Sequence, residues 1–187
     1  RRHWPLTQIC VPQSVSAVDC PSAAHTTRVL PAQLRLDGWH RSFCMKSIHY
    51  RGTPEAPGLV LALDAARGAH CAGVAFGVPR QAEADTLAYL HERELISDAY
   101  LERRLPVRLG DGRQVTAVSY VIDRTHPQYC AGLDLETQAG IIARSRGQTG
   151  TNADYLWHTT AHLAELGLGD PDLDWLAARV RVLKGAV

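Results

Sequence analysis

This sequence has almost no net charge. Lys+Arg is 20 and Asp+Glu is 19, which leaves +1 at neutral pH. So close a balance gives no electrostatic basis for binding nucleic acid or an anionic membrane surface. Lysine is nearly missing: Lys46 and Lys184 are the only two, and arginine carries the rest of the positive charge. GC-rich coding produces such a bias without any functional demand. No apolar run approaches the ~18 residues needed to cross a bilayer. Nor does an apolar stretch of signal-peptide length follow Arg1-Arg2-His3-Trp4-Pro5, so no export signal is expected. The disorder-prone mix of low hydrophobicity and high net charge is absent too, since 45% of residues are hydrophobic. The 187 residues suit one compact domain with its own core.

Metal and nucleophile motifs are equally scarce. The five cysteines, Cys10, Cys20, Cys44, Cys71 and Cys130, are odd in number and contain no C-x-x-C pair. That argues against a disulfide framework and a structural zinc site, and unbridged thiols point to the reducing cytoplasm. Cys44 and Cys71 lie in apolar, strand-like runs and read as small buried hydrophobes. His158 and His162 are spaced like zinc ligands, but Thr159 stands where a zincin has glutamate. They read as an ordinary helical pair, and no metal is expected. Asp170, Asp172 and Asp174 alternate like a calcium loop that lacks its glycine and closing glutamate. Asp170-Pro171 reads better as a helix cap followed by its first residue. No repeat of 20 to 50 residues, no G-x-G-x-x-G and no P-loop lysine is present.

Residues 1 to about 31 are rich in Ser, Thr, Pro and Ala, with no lasting period, and read as loop or a poorly ordered, disordered stretch. This sets residues 1–30 apart as an atypical segment and 31–187 as the domain. Leu34 and Leu36 alternate with polar residues before a turn at Asp37-Gly38, and 40–48 reads as extended. A Gly/Pro loop from Arg51 to Gly58 leads to an apolar strand at 58–63, and 72–78 reads as another. The spacing predicts a helix over 81–94. Strands follow at 100–109 and 114–122, joined by the Gly110-Asp111-Gly112 turn. Asp134 caps a helix to about Arg146. Thr151 and Asp154 form a capping box for a helix over 152–166, and the last helix covers 173–183. Strands and helices are largely segregated, so the fold class is α+β.

One carboxylate stands out. Ala84, Leu87, Leu90, His91 and Glu94 recur at spacings of three and four on the 81–94 helix and form one face. Glu94 therefore continues the apolar stripe, in the last turn, where the helix dipole disfavours negative charge. Both effects push a glutamate above its usual ~4.3, as a general base requires. The same position also suits an exposed helix-terminal glutamate paired with Arg93 or Arg103, and the residues leave both readings open.

Several segments resemble the ChaC-type γ-glutamylcyclotransferases. They are His40-Arg41-Ser42-Phe43-Cys44, then Tyr50-Arg51-Gly52-Thr53-Pro54 with Pro57-Gly58-Leu59-Val60-Leu61, and Gly73-Val74-Ala75-Phe76. Further on come Ala88-Tyr89-Leu90-His91-Glu92-Arg93-Glu94-Leu95, His126-Pro127-Gln128-Tyr129, and Gly147 through Gly150-Thr151-Asn152-Ala153-Asp154-Tyr155-Leu156. The resemblance covers roughly residues 31 to 175. It implies a small mixed β-barrel flanked by helices, with the catalytic carboxylate at Glu94. It also implies that Tyr155 helps to hold the γ-glutamyl group, although a packed aromatic at a helix start is an equally ordinary role. The implied reaction closes glutathione into 5-oxoproline and releases Cys-Gly, without metal or cofactor. Other γ-glutamyl amines or peptides are the alternative substrates.

The chain departs from the family at one place. The family's Tyr-Gly-Ser-Leu loop, whose backbone amides bind the γ-glutamyl part, occurs nowhere. Its expected position reads Ala17-Val18-Asp19-Cys20. That loss is what a non-catalytic relative would show.

Overall fold

The computed structural model describes residues 7–10, 31–95 and 98–185, with backbone alone at 7–10, 31, 93 and 94. Five strands close a barrel: β1 (Thr7–Cys10), β2 (Pro31–Ser47), β3 (Gly58–Val78), β4 (Tyr100–Leu109) and β5 (Gln114–Ile122). The order round the barrel is β1-β3-β2-β4-β5. β1 is antiparallel to β3, with Thr7 opposite Val78, and parallel to β5, with Ile9 opposite Val118. The barrel is therefore mixed. The four helices are α1 (Glu83–Glu94), after a 3₁₀ turn at Arg80–Ala82, and α2 (Leu135–Arg144), α3 (Asn152–Glu165) and α4 (Pro171–Leu183). Two short strands, β6 (Arg146–Gly147) and β7 (Gly150–Thr151), pair between α2 and α3. The chain divides into two compact units, Arg1–Arg41 with Leu63–His126 and Ser42–Ala62 with Pro127–Val187.

In the first unit the β4–β5 hairpin keeps its register from Tyr100 opposite Ile122 to Arg108 opposite Gln114. Its turn closes because Gly112 takes φ +87° and Asp111 accepts from the Arg113 amide at 3.1 Å. One apolar cluster joins Leu34 and Leu36 to Leu63, Cys71, Val107, Leu109, Ala117 and Val121. Val118 and Tyr120, on the other face of β5, pack with Val78 and with Leu90 of α1. β5 is thus covered on both faces, and from Ala117 onward it reads as an unbroken buried run. Burying each of Val118, Val121 and Ile122 in that run is worth about 1.5–3 kcal/mol.

In the second unit α2, α3 and α4 pack on one another. Each start is capped as its sequence predicts. Asp134 accepts from the Thr137 amide at 2.8 Å, Thr151 from Asp154 at 3.0 Å, and Asp170 from Asp172 at 3.1 Å, with Pro171 in the first turn. The α2 helix stops at Arg144 because Ser145 turns extended and donates its hydroxyl to the Pro57 carbonyl at 3.0 Å.

The structure corrects the strand reading in three places. No turn forms at Asp37-Gly38, and β2 runs straight through. Asp37 binds its neighbour Arg35 at 2.7 Å, and Gly38 absorbs a bend at φ +83°. The two strands read at 58–63 and 72–78 are one, β3, whose mostly exposed middle, Ala65-Ala66-Arg67-Gly68-Ala69-His70, breaks the apolar pattern. Thr7–Cys10, read as loop, is strand β1; four residues are too few for alternation to register. Ala17-Val18-Asp19-Cys20 lie outside the described residues.

Candidate functional site

Phe43, the 50–61 segment and the 147–156 segment, which carry the family resemblance in the second unit, meet around Tyr155. The Ser47 hydroxyl accepts from the Arg51 amide at 3.0 Å, which tightens the loop after β2. Gly52 and Gly58 let the two ends of that loop touch, since a Cβ on Gly52 would stand 2.0 Å from the Gly58 nitrogen. The 147–150 turn then docks on this loop. Gln148 donates its amide to the His49 carbonyl at 2.9 Å, and the Thr149 hydroxyl donates to the Tyr50 carbonyl at 2.9 Å. Gly147 is required there, because a Cβ would lie 2.5 Å from the His49 oxygen.

Arg51 is held between these pieces. Its Nη1 donates to the Thr149 carbonyl at 2.8 Å, and its guanidinium lies 5.4 Å from the centre of the Tyr155 ring. Phe43 meets that ring edge-on at 6.2 Å. The Tyr155 hydroxyl accepts a long hydrogen bond, 3.4 Å, from the Leu61 amide. One turn earlier Asn152, fully buried, clamps β3. It accepts from the Leu59 amide at 2.6 Å and donates to the Leu59 carbonyl at 2.7 Å. A phenol, a fixed cation and a rigid backbone thus come together, a set suited to gripping a carboxylate. Asp154, also in the first turn of α3, has its carboxyl lowered by the Thr151 hydroxyl that bonds it.

In the first unit Glu94 is the last residue of α1, and the Leu95 amide closes the helix on the His91 carbonyl at 3.0 Å. The apolar face differs from the expected one. Thr86 and Leu90 are the buried pair, at 3% and 4% exposure, while Ala84 and His91 are exposed. His91 leaves the stripe because its Nε2 binds the Glu102 carboxylate of β4 at 2.5 Å.

Sequence reasoning missed three features that only the fold assembles. One is the packing of Arg51 on Tyr155. Another is the His91–Glu102 pair. The third is Asp64, 3% exposed, which is bonded to the Arg124 Nε at 2.7 Å. Arg124 also bonds the Ala65 carbonyl, so this buried carboxylate is met by a charge-assisted partner, as burial demands. His162 sits with Glu165 at 3.4 Å. Among the described residues no group of three His, Cys, Asp or Glu is placed to hold a metal ion.

The fold matches that of known enzymes. A crystal structure of a γ-glutamyl cyclotransferase specific to glutathione from yeast superposes with a TM-score of 0.78. It is 18% identical, and the match covers 96% of this chain and 99% of that one. By architecture, then, the molecule has the γ-glutamylcyclotransferase fold, an α+β mixed barrel with flanking helices. Sequence comparison narrows this. The model of the ChaC-like protein family matches residues 22–183, and this chain belongs to that family. A glutathione-specific γ-glutamylcyclotransferase of Escherichia coli is 37% identical over 148 residues, 79% of this chain and 63% of that protein. This chain thus spans just under two thirds of that relative's length. A γ-glutamylcyclotransferase 2-3 of Arabidopsis thaliana is 30% identical over 152 residues, 78% of this chain and 76% of that protein.

Proposed function

We propose that this protein cleaves the γ-glutamyl bond of glutathione by intramolecular cyclisation, releasing 5-oxoproline and Cys-Gly. Membership of the ChaC-like family, with 37% identity to a glutathione-specific cyclotransferase, carries the reading. Glu94 takes a proton from the α-amine of the γ-glutamyl group. The amine attacks the γ-carbonyl and closes a five-membered ring. The C–N bond to cysteine then breaks, and Glu94 returns its proton to the leaving nitrogen. No covalent enzyme intermediate forms, so the protein's task is to fold the substrate and move one proton.

Tyr155 and Arg51 are the groups that hold the γ-glutamyl carboxylate in this reading, the phenol by a hydrogen bond and the guanidinium by charge. The chain has no Tyr-Gly-Ser-Leu peptide to share that work. No disulfide links the described cysteines Cys44, Cys71 and Cys130, which suits the reducing cytoplasm where glutathione is abundant.

The test is incubation with glutathione and assay of 5-oxoproline. Glu94→Gln keeps the size of the side chain and removes the base, so turnover should fall by about 10²–10⁴-fold. Turnover that survives it sinks the assignment of Glu94. A wild-type chain that releases no 5-oxoproline from glutathione or from a panel of γ-glutamyl amines sinks the activity itself.

A further inference from the structure

A second site lies within the Ser42–Ala62 and Pro127–Val187 unit. It is a cavity of about 540 Å³, inside the range of small-molecule pockets, ~300–1,000 Å³. Leu59, Leu133 and Ile141 give it apolar walls, and Lys46, Arg144 and Glu55 stand round it. Neither Tyr155 nor Arg51 is among its described lining residues.

The charges there are unspent, unlike those of Arg35, which pairs with Asp37, and Arg113, which pairs with Asp111. Lys46, Arg144 and Glu55 make no ion pair among the described residues, with one another or with any other group. Lys46 is set firmly all the same. Its amide donates to the Gln128 carbonyl at 2.8 Å, and its carbonyl accepts from the Gln128 side chain at 2.7 Å. The stem of the lysine therefore leaves a fixed backbone. Its ammonium is close enough to oppose the rise that burial imposes on the Cys130 thiol, and that thiol lines the cavity. Two cations against one carboxylate give the cavity a local excess of +1 in a molecule whose total is only +1.

An apolar chamber with unpaired cations beside it selects a particular ligand chemistry. The body must be apolar, because polar groups would lose water against Leu59 and Ile141 without regaining hydrogen bonds. The head must be anionic and compact, to meet a lysine and an arginine together. We propose that this cavity is a binding site for a small organic anion with an apolar body, of the monocarboxylate class. The ligand's carboxylate meets Lys46 and Arg144, its chain lies on Leu59, Leu133 and Ile141, and Glu55 excludes a second negative charge.

Octanoate, octylamine and octanol share a chain and differ in head charge, so titrating the protein with each by calorimetry isolates the head group. Octanoate should bind saturably, and the other two at least tenfold more weakly. The Lys46→Met/Arg144→Met protein should lose tenfold or more for octanoate while binding octanol as before. Glu55→Gln should tighten octanoate. Ile141→Trp should abolish binding by filling the chamber. If that variant fails to fold, the charge variants decide alone, because Lys46 and Arg144 are both exposed. Octylamine or octanol binding as tightly as octanoate overturns the proposal. So does octanoate affinity unchanged in the Lys46→Met/Arg144→Met protein, or no saturable octanoate binding up to millimolar concentrations. None of these readings depends on cyclotransferase turnover.

Discussion

Asn152→Ala tests how the second unit is held together. Asn152 is 0% exposed and Leu59 is 1% exposed, and two hydrogen bonds of 2.6 and 2.7 Å join them. Alanine removes both bonds and leaves the amide and the carbonyl of Leu59 buried without that partner. Each unsatisfied group costs about 1–3 kcal/mol, so the loss should be ~4 kcal/mol. Set against a total stability of ~5–15 kcal/mol, that is a large fraction. Urea unfolding followed by circular dichroism should show the midpoint falling at constant slope. Asn152→Asp sharpens the test. It keeps the acceptor for the Leu59 amide but turns an ionised oxygen toward the Leu59 carbonyl. Burial and that repulsion raise the folded-state pKa of the new carboxyl above its unfolded value. The folded variant then binds the proton more tightly than the unfolded one, so it should be weakest at neutral pH and regain stability as pH falls. A loss below about 1 kcal/mol for Asn152→Ala refutes the reasoning, as does an Asn152→Asp protein whose stability follows wild type across pH.

Three further outcomes can be measured separately. Gly52→Ala should cost about 3 kcal/mol or more in a urea titration, because its Cβ would meet backbone on two sides, the Gly58 nitrogen at 2.0 Å and the Ser47 carbonyl at 2.5 Å. Thr151→Ala should lose about 1 kcal/mol with the α3 cap. The Thr151 hydroxyl holds the Asp154 carboxyl below its usual 3.8. That stabilisation is present above pH 3.8 and is lost as pH falls through the lower folded value. Midpoints between pH 5 and 2 should therefore fall less steeply for Thr151→Ala than for wild type. Tyr155→Phe should leave stability within about 1 kcal/mol, its bond to Leu61 being long. Its kcat/KM for glutathione should drop about tenfold or more, ~1.4 kcal/mol of transition-state stabilisation; unchanged kinetics remove Tyr155 from the site.

What was legible in the sequence was local chemistry. Gly110-Asp111-Gly112 set the hairpin, and its strands span 100–109 and 114–122 as read. Asp134, Thr151 and Asp170 marked three helix starts, since each cap is a bond to a residue two or three positions away. Long-range choices were not legible. Nothing near Asp37-Gly38 says that β2 will bend rather than turn, because that depends on the neighbouring strands. His91 has helical spacing with Leu87 and Leu90, yet Glu102, eleven residues on, draws it out of the apolar face. Arg51 and Tyr155 are separated by about a hundred residues and meet only because Gly52, Gly58 and Gly147 permit close backbone approach. Position thus located Glu94 at the end of its helix, whereas the surroundings of Tyr155 required the fold.

The shortage of lysine makes this molecule chemically addressable. Only two side-chain amines exist, and Lys184 sits at the end of α4, its Nζ 3.5 Å from the Ala143 carbonyl. In a Lys184→Arg protein the sole ε-amine is that of Lys46, beside the cavity. Acylation by an amine-reactive dye would then put its one side-chain label at that wall, told apart from the α-amino label by peptide mapping, and a ligand seated there would shield it. A compositional bias with no evident role of its own thereby supplies a built-in reporter of occupancy, readable without any substrate or turnover.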